Sequence, residues 1–128
     1  MDITVGMKGE VTSLVEREDT AAEVGSGSLL VYATPCMVAL MEGAACEAIA
    51  PAIAEGSTSV GIELSIRHVS ATPVGMEVRA EAEVTAVDGK IITFKITAYD
   101  EAGIIGEGTH QRCIISSQRF LDKTYSKL

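Results

Sequence analysis

Thr34-Pro35-Cys36-Met37-Val38-Ala39-Leu40-Met41-Glu42-Gly43-Ala44-Ala45-Cys46-Glu47-Ala48-Ile49-Ala50 is the stretch that decides the fold. A Thr hydroxyl can accept from an orphan backbone N–H at a helix start, and Pro suits the first helical position, where no N–H is required. The pair predicts a helix capped by Thr34. After Pro35 the carboxylates are Glu42 and Glu47, which at about 100° per residue point about 140° apart, so no single polar stripe holds both. The helix is therefore expected to be largely buried. A carboxylate costs several kcal/mol to desolvate unless it is paired or protonated, which makes Glu42 the first candidate functional residue.

Working outward, the chain changes period. From residue 60 to 68, Val60, Ile62, Leu64, Ile66 and His68 share one parity, and Gly61, Glu63, Ser65 and Arg67 share the other. From 77 to 87, Val78, Ala80, Ala82, Val84 and Ala86 alternate with charged or polar neighbours. Such alternation marks strands with one buried and one wet face. Asp88-Gly89 is a two-residue hairpin signal, after which Ile92, Phe94, Ile96 and Ala98 resume the apolar parity. Asp100 to Gly103 turns again, and a last strand over about 104–116 carries Gly106 and Gly108, which suggest a bulge or a close backbone approach.

Before the helix, residues 4–16 read as one strand and Glu16 to Glu23 as a loop, with Gly25-Ser26-Gly27 and an apolar run leading into Thr34. Pro51 ends the helix, and residues 117–128 read as a polar C-terminal tail. The expected architecture is one α+β domain spanning 1–128: a strand, one long apolar helix, and four strands in an antiparallel meander that wraps it. That arrangement describes the hotdog fold. Its exposed edge strands call for a partner, and a homodimer is expected.

Composition narrows the function. The chain has 128 residues, 47% hydrophobic and 22% charged, with two Phe, three Tyr and no Trp, so Ala, Val and Ile must fill one core. A net charge of −8 argues against a nucleic-acid partner, since phosphate binding needs a basic face. Cys36, Cys46 and Cys113 are odd in number and lack metal or disulfide spacing, as expected of reduced thiols in the cytoplasm. No run of 18 apolar residues suggests a membrane segment, and neither a metal nor a cofactor is called for.

Three residues stand out for chemistry. His68 lies on the apolar parity of its strand, where its ring faces the helix; a core histidine bonded to a carbonyl is the plain alternative. Thr34 is an ordinary cap until shown otherwise. Thr34 and Glu42 sit eight residues apart, about 12 Å along the axis, so they can cooperate only through a substrate or across a subunit interface. Cys36 in the first helical turn could pair with a histidine, although a small buried hydrophobe is the simpler reading. His110 and Arg112 share a strand parity and could face a ligand pocket or a phosphate, although a solvated surface pair is the plain alternative.

The order Ala33-Thr34-Pro35, Met37 to Glu42, Arg67-His68-Val69-Ser70-Ala71-Thr72-Pro73-Val74-Gly75 and Gly106 to Arg112 resembles the fluoroacetyl-CoA thioesterase family of hotdog proteins, over about Val5 to Phe120. The resemblance implies hydrolysis of an acyl-CoA thioester without cofactor. It assigns that family's catalytic Thr, Glu and His to Thr34, Glu42 and His68, and its substrate-binding Gly and Arg to Gly61 and Arg112. One stretch departs: where the family resembles a box with an aromatic lid, this chain reads Glu23-Val24-Gly25-Ser26-Gly27-Ser28. Thioester hydrolysis is expected, with fluoroacetyl-CoA not specially favoured. The alternatives are a binding protein that shelters an acyl-CoA without turnover, and a hotdog hydratase or dehydratase.

Overall fold

A computed structural model describes residues 2–128. Five strands, β1 (Lys8–Leu14), β2 (Ser57–His68), β3 (Glu77–Asp88), β4 (Ile91–Asp100) and β5 (Gly103–Ser116), form one antiparallel sheet in the order β1-β3-β4-β5-β2. Three helices accompany them: α1 (Ala21–Val24), α2 (Thr34–Ile49) and α3 (Ser117–Tyr125).

The alternation in β3 and β4 sets the core. Val78, Ala80, Ala82 and Val84 of β3 and Ile92, Phe94, Ile96 and Ala98 of β4 are buried against Met37, Met41, Ala44, Ala45, Ala48 and Ile49 of α2. Small side chains on α2 let the sheet come close. At Gly9 of β1 a Cβ would meet the backbone of Ala44 and Ala48, so only glycine allows this approach of strand to helix. Each fully buried Leu-sized or larger side chain in such a core contributes about 1.5–3 kcal/mol, and Phe94 is the large aromatic at its centre.

Several expectations are corrected. The meander holds for β3, β4 and β5, but β2 pairs with β5 and not with β3. The reason lies in the links. Gly89 and Lys90 close the β3–β4 hairpin, one residue later than the Asp88-Gly89 signal placed it, and residues 101–102 close β4–β5. The 69–76 segment contains Pro73, which bridges to Val31, and it carries the chain from one edge of the sheet toward β3. The Glu16 to Glu23 stretch is not a plain loop: it holds a 3-10 turn, Arg17–Asp19, and most of α1. The polar tail is the helix α3, none of whose residues is buried.

The face of β2 is also corrected. A bulge between Gly61 and Glu63 reverses the alternation, so Ser59 and Gly61 face α2 before it, and Leu64, Ile66 and His68 do so after it. Ile62, expected inside, is 51% exposed. At Gly108 a Cβ would run into the backbone of Ser65 and Ile66, and the β4–β5 register shifts beside Gly106, so the glycine-rich stretch of β5 provides both a close approach and a bulge.

Candidate active site

Thr34 is the first residue of α2 and not its cap; Ala33 holds that position, and no side chain caps the helix. The Thr34 hydroxyl is used elsewhere. Its Oγ1 lies 2.8 Å from Nδ1 of His68 at the end of β2. The pair lines a cleft of about 320 Å³ with Ser26, Tyr32, Val69, Ser70 and Ala71. At the helix start, the N–H groups of Cys36 and Met37 both bond to Ala33 O, at 3.0 and 3.1 Å. Pro35 has none, which leaves that of Thr34 without a partner among the described residues.

His68 Nε2 is buried and has no hydrogen-bond partner. Burial also lowers the imidazole pKa from its ordinary value, because removal from water disfavours the charged form. The neutral ring can accept the Thr34 proton at Nδ1, the hydroxyl–base contact that activates a nucleophile or orients a water. Cys36 does not compete: burial and, after it, the charge of Asp19 push its thiol pKa up, away from the thiolate.

Glu42 projects from the middle of α2 into a second cluster. Its Oε2 accepts from Arg112 Nη1 at 3.1 Å and stands 3.8 Å from His110 Nε2. Arg112, 7% exposed, also donates through Nε to Ser59 Oγ at 2.8 Å and through Nη2 to Ser59 O at 3.1 Å. Gly61 completes the arrangement. It pairs with Arg112 across the β2–β5 ladder, and a Cβ there would lie 2.6 Å from Glu42 Oε2.

The structure thus brings the five sequence-derived residues together in two groups, Thr34 with His68 and Glu42 with Gly61 and Arg112. It does not join the groups within one chain. Nor is α2 as buried as its composition suggested. The Glu42 side chain is 38% exposed, and Ala39, Cys46 and Glu47 lie on an open flank of the helix. Sequence reasoning missed Ser59, which holds the guanidinium from two sides. The bulge that turns Ser59 inward has no signature beyond Gly61 itself.

The family model of fluoroacetyl-CoA-specific thioesterases matches residues 15–118. The fluoroacetyl-CoA thioesterase of Streptantibioticus cattleyicolor is 38% identical over 97 residues, 76% of this chain and 70% of that protein. The chain belongs to the fluoroacetyl-CoA-specific thioesterase family. A solved structure of a fluoroacetyl-CoA thioesterase superposes on it with a TM-score of 0.93 at 30% identity, covering 100% of this chain and 99% of that one. A hot-dog-like protein from Thermanaerovibrio acidaminovorans, 21% identical, covers 98% of this chain and 93% of its own with a TM-score of 0.88, which shows the shared fold. Membership carries the class, a hotdog-fold thioester hydrolase, as the sequence resemblance implied. Tyr32 is the one Phe, Tyr or Trp among the residues that line the Thr34–His68 cleft. No helix among the described residues is long and apolar enough to cross a membrane.

Proposed function

We propose that this family member hydrolyses small acyl-CoA thioesters to the free acid and CoA, with Thr34, Glu42 and His68 as its catalytic residues and Gly61 and Arg112 shaping the acyl site. The observation that carries the reading is the 2.8 Å contact between Thr34 Oγ1 and His68 Nδ1 beside an open cleft. A thiol leaves readily from a thioester, since its pKa is about 8.5, so the enzyme must chiefly supply an activated nucleophile and charge stabilisation at the carbonyl oxygen. Neutral His68 takes the proton, and the positive end of α2 faces the developing oxyanion. Arg112 fixes one oxygen of Glu42. Its Oε1, which no described residue engages, is the atom offered to the acyl carbon or to a water.

The two groups meet in a cytoplasmic homodimer. Three observations support that assembly: Thr34 and Glu42 turn to different partners, the 12-residue β2 is an open edge strand, and α2 keeps an exposed flank beside it. A thiol-release panel across short acyl-CoAs tests the function. Binding without release would leave a sheltering protein, and hydration of an enoyl-CoA without thiol release would leave a hydratase.

A further inference from the structure

His110 plays no part in the chemistry described so far, yet it is 1% exposed and carries two nitrogens that each need a partner. It sits on β5 opposite Leu64 of β2 and Phe94 of β4, and the Phe94 ring stacks on it with centroids 6.0 Å apart. Its Nδ1 lies 2.8 Å from the carbonyl oxygen of Glu63, at the β2 bulge. A carbonyl only accepts, so Nδ1 carries the proton. On the other side of the ring, Arg112 Nη1 stands 3.2 Å from Nε2. A guanidinium only donates, so Nε2 must be the unprotonated nitrogen. The two bonds together select one tautomer of a neutral ring.

We propose that His110 is a positioning residue for thioester hydrolysis: its Nε2 lone pair holds Arg112 Nη1 at the angle from which the same nitrogen grips Glu42. Arg112 Nη1 has two hydrogens, one for Glu42 Oε2 at 3.1 Å and one for His110. Ser59 takes the Nε and Nη2 hydrogens. Without His110 the guanidinium keeps its charge and loses one of three anchors, so it is free to swing about the Ser59 side and carry the Glu42 carboxylate with it. The charged groups facing the ring are Arg112 from its own strand and Glu42 from α2, while β2 presents the Glu63 carbonyl and β4 the Phe94 ring. Protonation of Nε2 would set a second cation against Arg112. Burial holds the ring's pKa down against the pull of the Glu63 carbonyl, and Arg112 adds to the depression.

The inference rests on the thioesterase reading of the Glu42 site, and two substitutions separate the ring's two bonds. His110→Gln places an amide oxygen near the position of Nε2 and preserves the acceptor for Arg112. His110→Asn places an amide nitrogen near Nδ1 and preserves only the donor to Glu63. Misplacing a reacting group by about 1 Å costs up to about 100-fold in rate. The Asn variant should therefore lose about 10- to 100-fold in kcat at nearly unchanged KM, and the Gln variant should recover most of that loss. Equal activity in both variants, equal loss in both, or a better Asn than Gln would overturn the proposal. Imidazole ¹⁵N spectra of the unmodified protein supply a reading independent of turnover and of how the variants fold. A neutral ring protonated at Nδ1 supports the proposal, and any other state refutes it. An unmodified protein that releases no thiol from any acyl-CoA would count against the thioesterase reading alone, because the spectra still report on His110.

Discussion

Glu42 Oε2 accepts a hydrogen bond from Arg112 Nη1 at 3.1 Å, joining the middle of α2 to β5 across 70 residues of sequence. Replacing a buried carboxylate by its neutral isostere often leaves stability untouched, since it spares a charge its desolvation, unless a buried partner charge is left alone. The arginine changes that expectation. Glu42→Gln leaves a buried guanidinium with neutral partners only. Because Glu42 itself is 38% exposed, the cost should be modest, about 1–2 kcal/mol. Thiol release should fall much further, by about 100-fold, the scale of a lost general base. Melting temperature and turnover on one preparation check both, and activity that tracks the folded fraction would remove Glu42 from the mechanism.

Thr34 gives the opposite balance. A Thr cap removed normally costs about 1 kcal/mol, but the Thr34 hydroxyl bonds to His68 and caps nothing. Thr34→Val, which keeps the shape, should therefore melt within about 0.5 kcal/mol of the parent and lose about 100-fold or more in kcat. Thr34→Ser should retain most activity. A large fall in melting temperature for the Val variant would restore the capping role.

The same residues mark how far the sequence could be read. Alternation of Val78 to Val84 and Ile92 to Ala98 fixes which faces of β3 and β4 are buried, because period 2 leaves a strand no other choice when one face is dry. The run from Thr34 to Ile49 likewise marks α2 by the proline in its first turn and by its composition, although Thr34 does not cap it. What escaped was non-local. The pairing of β2 with β5 depends on which link can cross the sheet, and no tight-turn signal in 69–76 forbids or demands a hairpin. The bulge after Gly61 inverted the inward set of β2, moving Ile62 out and Ser59 in. His110 and Arg112 lie 68 and 70 residues from Glu42, and neither spacing nor parity links them to it.

Substrate preference follows from the open side of the Thr34–His68 cleft. Ala21, Ser26 and Val31 line it with small or aliphatic side chains, and Tyr32 is its one large aromatic. Fluoroacetyl-CoA and acetyl-CoA should therefore differ by less than about tenfold in kcat/KM, since small apolar differences in an open pocket discriminate by only about 1 kcal/mol. A preference of several hundredfold for the fluorinated substrate would refute the argument from the cleft.

Acid should weaken the protein through its two histidines. Burial is the main cause that lowers the folded pKa of both His68 and His110 below the ordinary 6.5. The unfolded chain then binds more protons between the two values. Stability contributed by the neutral rings is present above about pH 6.5 and is lost as pH falls toward the folded pKa values. Melting temperature should decline across that window, and His68→Asn should make the decline shallower. Activity should follow a matching course, with the acid limb of kcat/KM below 6.5. A limb above 6.5 would exclude a depressed His68 as the base.

The separation of Thr34–His68 from Glu42–Arg112 yields a test of assembly as well as of chemistry. In a homodimer whose sites span the interface, one protomer's hydroxyl and imidazole work with its partner's carboxylate. Thr34→Val and Glu42→Gln then damage different halves of each site. Mixed by unfolding and refolding together in equal amounts, about half of the dimers pair the two variants, and in each of these one site regains both an intact Thr34 and an intact Glu42. The mixture should recover about one quarter of the parent activity, far above either variant alone. Light scattering at micromolar concentration should report a dimer throughout. If each chain holds its own complete site, every site in the mixture still lacks one group, and mixing two inactive variants restores nothing.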